Sequence, residues 1–343
     1  MMPLVVHDPG QIDLEQPGKR HYQLAFHLDS AWGYSLVPLT VLNGPRSGQQ
    51  QPPGVAVFGG THGNEYEGQV AVKRLCRDLE PESLRGRVIL IPQLSESACV
   101  AGARCSPADG VNMNRAFPGD ARGTLSARIA HFVTTQIFPQ VEVVLDLHSG
   151  GREAVFPICT SFHPVENDRQ RAEMAAVARC FDTPFVFVYS SEMASGLLTD
   201  EAEHAGRIAV GGEFGSGETV NPVGVRHVYE GVKNVLRRYG HLDGDFVRVD
   251  PARAKPPRLV SAPHLPDYIP TPRDGIWEPL VRPGDDVTQG ELLGRIHDFS
   301  DHSSAPLDVH AHRAGVVIAL YNTAVCRKGL TLFVLAREIG EEG

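Results

Sequence analysis

A histidine and a glutamate three residues apart follow a short apolar run. His62 and Glu65 lie in Gly59-Gly60-Thr61-His62-Gly63-Asn64-Glu65, directly after the run that starts at Val55. Imidazole nitrogens and carboxylate oxygens are both good zinc ligands. At the carboxyl end of a buried strand, both side chains can face the crevice where α/β sheets bind ligands. A glutamate that caps the next helix beside an unrelated loop histidine explains the same residues, so this motif alone leaves both interpretations open.

A second histidine ends another apolar run. His148 stands in Leu145-Asp146-Leu147-His148-Ser149-Gly150-Gly151. Catalytic zinc typically has three protein ligands and one open position for water, so His62, Glu65 and His148 are the candidate ligands of one Zn²⁺ per chain. Asp146, two residues earlier on the same side of the strand, can hold the imidazole from behind. Taken singly, His148 is equally well explained as a buried structural histidine.

A carboxylate ends a third apolar run. Glu213 lies in Gly211-Gly212-Glu213-Phe214-Gly215. A glutamate in a water-poor cleft can take a proton from a metal-activated water and pass it to a leaving amine. Glu213 is therefore the candidate general base, although a capping role would explain this motif if it stood alone.

An arginine and an Asn–Arg pair lie between the first two motifs. Arg104 is followed by Asn114-Arg115-Ala116-Phe117-Pro118-Gly119, a segment bounded by Gly and Pro. Guanidinium groups bind carboxylates in a forked geometry and stabilise developing oxyanions. Asn114, Arg115 and Arg104 are therefore candidates to bind and polarise a substrate, although surface arginines are also common.

The elements that must position these residues alternate along the chain. Apolar runs of strand length are separated by stretches with helical periodicity, which predicts a mixed, largely parallel α/β sheet with helices on both faces. The predicted strands are Val55–Gly60, Val88–Leu94, Val141–Leu147, Pro184–Val188 and Arg207–Gly212. The predicted helices are Tyr66–Leu79, Thr124–Phe138, Glu166–Phe181 and Gly224–Tyr239.

The composition excludes several classes of protein. The 343 residues are 42% hydrophobic and 21% charged, the balance of a soluble globular chain rather than a disordered one. A formal net charge of −9 without basic blocks argues against a nucleic-acid or anionic-membrane partner. Neither a secretory signal nor a membrane-spanning run is predicted, so we expect a cytoplasmic protein that acts on a small molecule. The six cysteines form no CxxC pair and are expected to be unpaired thiols.

The pattern changes at about residue 240. Prolines are frequent between Pro251 and Pro272, which predicts a stiff extended connector rather than an element. The segment from Gly275 to Ala336 has short apolar runs separated by turn signals and is predicted to be all β. It resembles the barrel of lipoyl domains but lacks their modifiable lysine. We therefore divide the chain into a catalytic domain (1–245), a linker (246–274) and a C-terminal β module (275–343).

Taken together, the motifs HGNE, NRAFPG, DLHSG and GGEFG resemble, in content and order, the succinylglutamate desuccinylase/aspartoacylase family, which is related to the zinc carboxypeptidases. The resemblance covers about residues 50–240. It implies that His62, Glu65 and His148 bind zinc, and that Glu213 is the general base. It further implies that Asn114 and Arg115 bind a substrate carboxylate, that Arg104 polarises the scissile carbonyl, and that the chain forms homo-oligomers.

Within this family, the segment Asp29–Gly33 and the overall layout are similar to the N-acetyl-L-2,4-diaminobutyrate deacetylases of ectoine degradation. The predicted function is therefore removal of a short acyl group, such as acetyl, from an amino acid. The alternatives are an aspartoacylase- or desuccinylase-type deacylase, a zinc carboxypeptidase, and a binding protein that has lost catalysis. A substrate ammonium would need an acidic partner, and a second carboxylate would need a cationic one. The candidates are Glu192, Asp200 and Glu218 for the former and Arg152 and Arg226 for the latter.

Overall fold

The computed structural model describes residues 2–29, 32–45, 51–193 and 195–340. Up to residue 270 its strands are β1 Leu4–Val6, β2 Gly18–His27, β3 Tyr34–Asn43, β4 Val55–Gly59, β5 Arg87–Ile91, β6 Val143–His148, β7 Ala154–Val155, β8 Cys159–Phe162, β9 Phe185–Tyr189, β10 Ile208–Glu213, β11 Arg258–Ala262 and β12 Tyr268–Pro270. Beyond it they are β13 Gly275–Pro279, β14 Asp286–Val287, β15 Leu292–His297, β16 Leu307–His310, β17 Gly315–Tyr321, β18 Val325–Cys326 and β19 Thr331–Glu338.

The α-helices are α1 Tyr66–Asp78, α2 Glu96–Ala101, α3 Leu125–Phe132, α4 Asp168–Arg179, α5 Leu198–His204 and α6 Pro222–Arg238. A wide π-helical turn, Val133–Ile137, continues α3. Short 3₁₀ turns occupy Pro9–Gln11, Pro81–Ser83, Met113–Arg115, Phe138–Gln140, Ser191–Met193 and Leu265–Asp267. In the described part of the chain, no helix is long and apolar enough to cross a membrane.

One large mixed sheet organises the molecule. Its strand order is β1-β2-β3-β5-β4-β6-β10-β8-β9-β11-β19-β17-β14, with β12 paired to β19 and β7 to β17. The run β5-β4-β6-β10 is parallel, as is β8-β9-β11. The flanking pairs β2-β3 and β17-β19 are antiparallel. The predicted mixed α/β architecture is confirmed, but the sheet is not largely parallel: apart from these two runs, only the edge pair β1-β2 is parallel among the described strands.

Helices cover both faces of the central strands. Along β4, Val55 and Val57 belong to the apolar cluster that contains α1, α4 and α6, whereas Ala56 and Phe58 belong to the cluster that contains α3 and α5. Successive side chains of a strand point to opposite faces, so an uninterrupted apolar run is what a strand buried on both sides requires. The helices predicted in this part of the chain are confirmed.

The segment Pro251–Pro272 is more than the connector that its prolines predict. Its central run, β11, lies in the large sheet, parallel to β9 and antiparallel to β19. The prediction is wrong there because Pro257 and Pro263 flank the strand without interrupting it, so no hydrogen bond of the ladder is lost. The division into three domains stays a prediction.

The strands of the C-terminal residues are divided between two sheets and do not form a separate unit of sheet alone. Strands β14, β17 and β19 extend the large sheet, whereas β13, β15, β16 and β18 form a second, four-stranded sheet. The likeness to a lipoyl barrel stays a prediction.

All six cysteines are unpaired, as expected. Of the segment Asp29–Gly33, Ser30 and Ala31 lie outside the described residues.

A buried carboxylate holds the start of the proline-rich segment on the catalytic part. Asp182 Oδ2 accepts hydrogen bonds from the amides of Val249, at 2.8 Å, and Asp250, at 3.1 Å, and Oδ1 accepts one from Arg248 Nε at 3.1 Å. Burial alone raises the pKa of Asp182, but these amides and the guanidinium outweigh it, so the pKa lies below its ordinary value. The ionised carboxylate therefore stabilises the folded state.

We predict that Asp182→Asn lowers the free energy of unfolding by about 1–3 kcal/mol at pH 7, the usual range for a buried hydrogen-bonded charge. A carboxyl with a depressed pKa contributes stability above its unfolded pKa and loses it as the pH falls through its folded pKa. The difference between wild type and variant in denaturant unfolding should therefore shrink from pH 7 toward about pH 3. Asp243→Asn, at an exposed ion pair, is the control and should change little. An equal loss at both pH values would contradict the prediction.

Candidate active site

The candidate metal ligands and the candidate base lie at or just after the ends of three adjacent strands, at one edge of the sheet. β4, β6 and β10 are parallel neighbours, and His148 lies beside Glu213 in their register. His62 stands in the loop after β4, and Glu65 is the residue before the first turn of α1. Because the carboxyl ends of parallel strands meet at one edge, these side chains converge in the crevice outside the sheet.

Two glycines explain why this loop is compact. A Cβ on Gly63 would lie 2.0 Å from the backbone carbonyl of Ala98 in α2, and a Cβ on Gly59 would lie 2.8 Å from the backbone of Gly68 in α1. Neither position has room for a side chain. The loop is thereby held between two helices, which limits the movement of the ligands that it carries.

The carboxylate of Glu65 lies between the two imidazoles. Glu65 Oε1 is 2.8 Å from His62 Nδ1, and Oε2 is 2.8 Å from His148 Nδ1. Oε2 also accepts a hydrogen bond from the amide of Ser149 at 3.1 Å. One potential ligand atom from each of the three residues falls within 4.8 Å of the others. The structure thus brings together the three predicted metal ligands, with the Nδ1 atoms turned inward.

The outer nitrogen of each imidazole also has a partner. His148 Nε2 is 2.7 Å from Asp146 Oδ2, the contact expected from the sequence, and Asp146 Oδ1 accepts from Thr61 Oγ1 at 2.6 Å. His62 Nε2 is 3.0 Å from Asn112 Oδ1. Sequence reasoning missed Asn112, whose only signal is its place two residues before Asn114. An acceptor at Nε2 fixes the orientation of each ring so that Nδ1 faces the cluster, where a metal would take the place of any Nδ1 proton.

The donor set fits a zinc ion. Two imidazole nitrogens and a carboxylate match the ligands of catalytic zinc sites that keep a position open. Burial opposes ionisation of Glu65, but the imidazoles of His62 and His148 outweigh it and hold the pKa of Glu65 well below its usual value. Burial disfavours the imidazolium of His148, yet the carboxylates of Asp146 and Glu65 raise its pKa well above the ordinary value. Both effects show that the cluster attracts positive charge.

Glu213 lies in the same cavity without a partner for one of its oxygens. Oε2 is buried and makes no hydrogen bond within the described structure. Burial, followed by the charge of Glu65, raises the pKa of Glu213 to about 8. A carboxyl whose pKa lies near neutrality can both accept and return a proton.

The three remaining candidates also line this cavity. An Nη atom of Arg104 is 3.0 Å from Glu65 Oε1. Asn114 Oδ1 accepts from the amide of Leu198 at 2.8 Å, and its NH₂ group lies 3.4 Å from His148 Nε2. Burial and the guanidinium of Arg104 lower the pKa of Arg115. Two cations this close favour an anion beside them.

The cavity has a volume of about 260 Å³. Its walls include residues from the C-terminal part of the same chain, Tyr268 on β12 and Val334 on β19. The Tyr268 hydroxyl accepts a hydrogen bond from the amide of Ser190 at 3.2 Å, so this wall is attached to the catalytic part. The chain therefore closes its own candidate site.

The five loop charges suggested as specificity residues do not line this cavity. They are Glu192, Asp200, Glu218, Arg152 and Arg226. Asp200 lies 3.4 Å from His204, and Glu218 accepts a hydrogen bond from Asn64 at 3.0 Å.

The fold and the site together define a class of protein, and comparisons with known proteins identify it. Residues 51–239 match the succinylglutamate desuccinylase/aspartoacylase catalytic domain. The chain belongs to this family. It is 34% identical over 336 residues to the N-alpha-acetyl-L-2,4-diaminobutyric acid deacetylase of Halomonas elongata, covering 97% of this chain and 95% of that relative.

Solved structures agree with this assignment. The succinylglutamate desuccinylase/aspartoacylase of Rhodobacter sphaeroides has a TM-score of 0.89 at 33% identity, covering 96% of this chain and 98% of that chain. The product-bound ectoine utilization protein EutE (DoeB) of Ruegeria pomeroyi has a TM-score of 0.87 at 28% identity, covering 95% and 97%. The match therefore includes the C-terminal part as well as the catalytic part.

We predict that Asn112→Ala raises the dissociation constant for zinc about 10- to 100-fold, as expected when a partner of a ligand imidazole is removed. Competition with a chromophoric chelator measures this constant without reference to activity. Asn112→Asp, which keeps an acceptor oxygen at the same place, is the matched control and should retain tight binding. Unchanged zinc affinity in Asn112→Ala would show that Asn112 does not orient His62.

Proposed function

We propose that the protein is a zinc-dependent amide hydrolase that removes the acetyl group of N-acetyl-L-2,4-diaminobutyrate, giving acetate and 2,4-diaminobutyrate. The observation that carries this proposal is the buried Oε2 atom of Glu213, which has no hydrogen-bond partner in the described structure, in the same cavity as the His62–Glu65–His148 cluster. The named activity of the Halomonas elongata relative supports the choice of substrate.

His62, Glu65 and His148 would hold the zinc ion. A zinc ion bound there would polarise the acyl carbonyl and lower the pKa of a water molecule from 15.7 toward about 7. The chain's own contribution is to turn both Nδ1 atoms toward the cluster. Asp146 does this for His148 and Asn112 does it for His62.

Glu213 would move the proton. Its carboxylate takes the proton of the attacking water as the bond to the acyl carbon forms, and it then gives that proton to the departing nitrogen. The raised pKa of Glu213, about 8, suits both steps, because a group that titrates near the working pH exchanges protons readily in either direction.

The guanidinium groups would hold the substrate. Arg115, with the NH₂ group of Asn114, binds the α-carboxylate and so determines which amide faces the reacting centre. Arg104 donates to the oxygen that gains negative charge, an interaction usually worth several kcal/mol in the transition state. Its contact with Glu65, one of the candidate metal ligands, supports this role.

The shape of the cavity favours a small substrate over the alternatives. Tyr268 and Val334 form part of its wall, which reduces the room for a long chain and argues against a peptidase. The only Arg or Lys side chains that line the cavity among the described residues are Arg104 and Arg115, which disfavours a second substrate carboxylate of the aspartoacylase or desuccinylase type. All ligand and base positions are filled, which disfavours a binding protein without catalysis.

We predict that the zinc-loaded protein releases amine from N-acetyl-L-2,4-diaminobutyrate faster than from N-acetyl-aspartate, N-succinyl-glutamate or an acyl dipeptide. Glu213→Gln should lower kcat about 10²- to 10⁴-fold, since general acid–base catalysis contributes that much. A ninhydrin-type amine assay measures the rates.

The zinc content of Glu213→Gln, measured by atomic absorption, is the control and should equal that of wild type. Full activity in this variant would remove Glu213 from the mechanism. Preference for another member of the panel would keep the hydrolase chemistry and overturn the choice of substrate.

A further inference from the structure

The proposed substrate carries an ammonium group for which the cavity has no dedicated carboxylate. Among the described residues that line it, the only carboxylates are Glu65 and Glu213. Glu65 lies between two imidazoles, and Glu213 is the proposed base. The ammonium must therefore be recognised by other chemistry if the cavity selects it.

One wall of the cavity is formed by a row of side chains on three neighbouring strands. In the sheet register, Gly211 of β10 lies beside Ser161 of β8, and Ser161 lies beside Phe187 of β9. Phe187 and Tyr189 are two residues apart on β9 and so face the same side. All four residues line the cavity, and the two rings lie 5.9 Å apart between centroids. The small Gly211 and Ser161 leave space in front of the rings.

The ring of Tyr189 is held in place from behind. His163, which does not line the cavity, packs against it at a centroid distance of 4.0 Å, with the ring planes tilted by 47°. His163 Nδ1 is 2.7 Å from Glu203 Oε2, and both residues are buried. The Tyr189 hydroxyl is 3.4 Å from Thr199 Oγ1, and Thr199 also lines the cavity. The ring thus presents a fixed face, with a carboxylate in the layer behind it.

We propose that the faces of Tyr189 and Phe187 bind the side-chain ammonium of the amino acid, in the space above Gly211 and Ser161. This inference rests on the proposed function and names its specificity element. A cation over an aromatic face is attracted by the ring quadrupole, more strongly in a desolvated cavity than in water. The hydroxyls of Ser161 and Thr199 supply oxygen acceptors for its N–H groups.

The charges around this wall agree with a cation. Burial, then the charge of Glu203, raises the pKa of Tyr189 well above its ordinary value, so the carboxylate behind the ring contributes a negative field there. A substrate with a side-chain carboxylate would meet that field unfavourably. Of the two guanidinium groups in the cavity, Arg104 already contacts Glu65, and Arg115, whose charge also acts on Tyr189, would be neutralised by the α-carboxylate of the substrate.

The test compares two amino acids of equal shape and different charge. 2,4-Diaminobutyrate has a side-chain ammonium where norvaline has a methyl group. Binding of each to the zinc-loaded protein is measured by calorimetry at pH 7. Wild type should bind 2,4-diaminobutyrate more tightly, and Tyr189→Leu and Phe187→Leu should each reduce this preference about 5- to 30-fold.

Two further variants control the experiment. Tyr189→Phe keeps the ring and should keep most of the preference. Phe185→Leu removes an aromatic side chain from the same strand outside the cavity and should leave the preference unchanged. Thermal unfolding checks that each variant is folded, and the wild-type comparison alone tests the proposal if a variant does not fold.

Equal affinity of wild type for both ligands would overturn the inference. Leucine variants that lower the affinity for both ligands equally would also overturn it, because such a result indicates an apolar wall that does not select charge. Failure of this inference can be distinguished from failure of the proposed function. A protein that prefers 2,4-diaminobutyrate but releases no amine from its acetyl derivative supports the ammonium site and contradicts the reaction. A protein that releases the amine but does not prefer 2,4-diaminobutyrate over norvaline supports the reaction and contradicts the ammonium site.

Discussion

The site depends on one buried carboxylate shared by two imidazoles. Glu65 is almost fully enclosed, and its two oxygens point to His62 and His148, which come from different strand ends. Burying a charge without partners costs several kcal/mol, so this arrangement is stable only while both imidazoles and the Ser149 amide remain in place. The same requirement makes the cluster a cation site.

Parallel pairing in the centre of the sheet supplies this geometry. Because β4, β6 and β10 run in one direction, three separate strand ends reach one edge, and a change in their register would separate His148 from Glu213. Antiparallel neighbours would have placed these residues at opposite edges. The helices on both faces bury the strands and leave only their ends accessible, so binding is confined to the crevice.

The sequence alone predicted the central strands and the polar residues at their ends. Polar residues after apolar runs, next to glycines, indicated His62, Glu65, His148 and Glu213, and the structure gathers all of them in one cavity. The sequence did not predict a residue whose role depends on contacts with distant parts of the chain. Asn112 has no local pattern that separates it from other loop asparagines, and its contact with His62 spans fifty residues.

The same limit applies to the fold. The prolines around β11 suggested a connector, because composition does not show that a short apolar run between them finds partners in β9 and β19. The hairpin β2–β3 was likewise not predicted. Its strands include polar residues such as Lys19, Arg20 and His21 and lack the unbroken apolar character of the central strands.

The C-terminal part is best understood as a wall of the site. Tyr268 reaches the cavity because β12 pairs with β19, and the adjacent Asp267 is buried and contacts Arg313 Nη2 at 2.7 Å. On the other side, the Tyr268 hydroxyl accepts from Ser190. The wall is therefore tied both to the C-terminal strands and to the catalytic part. Strands of the same chain therefore form this wall, and the candidate site needs no partner chain to supply it.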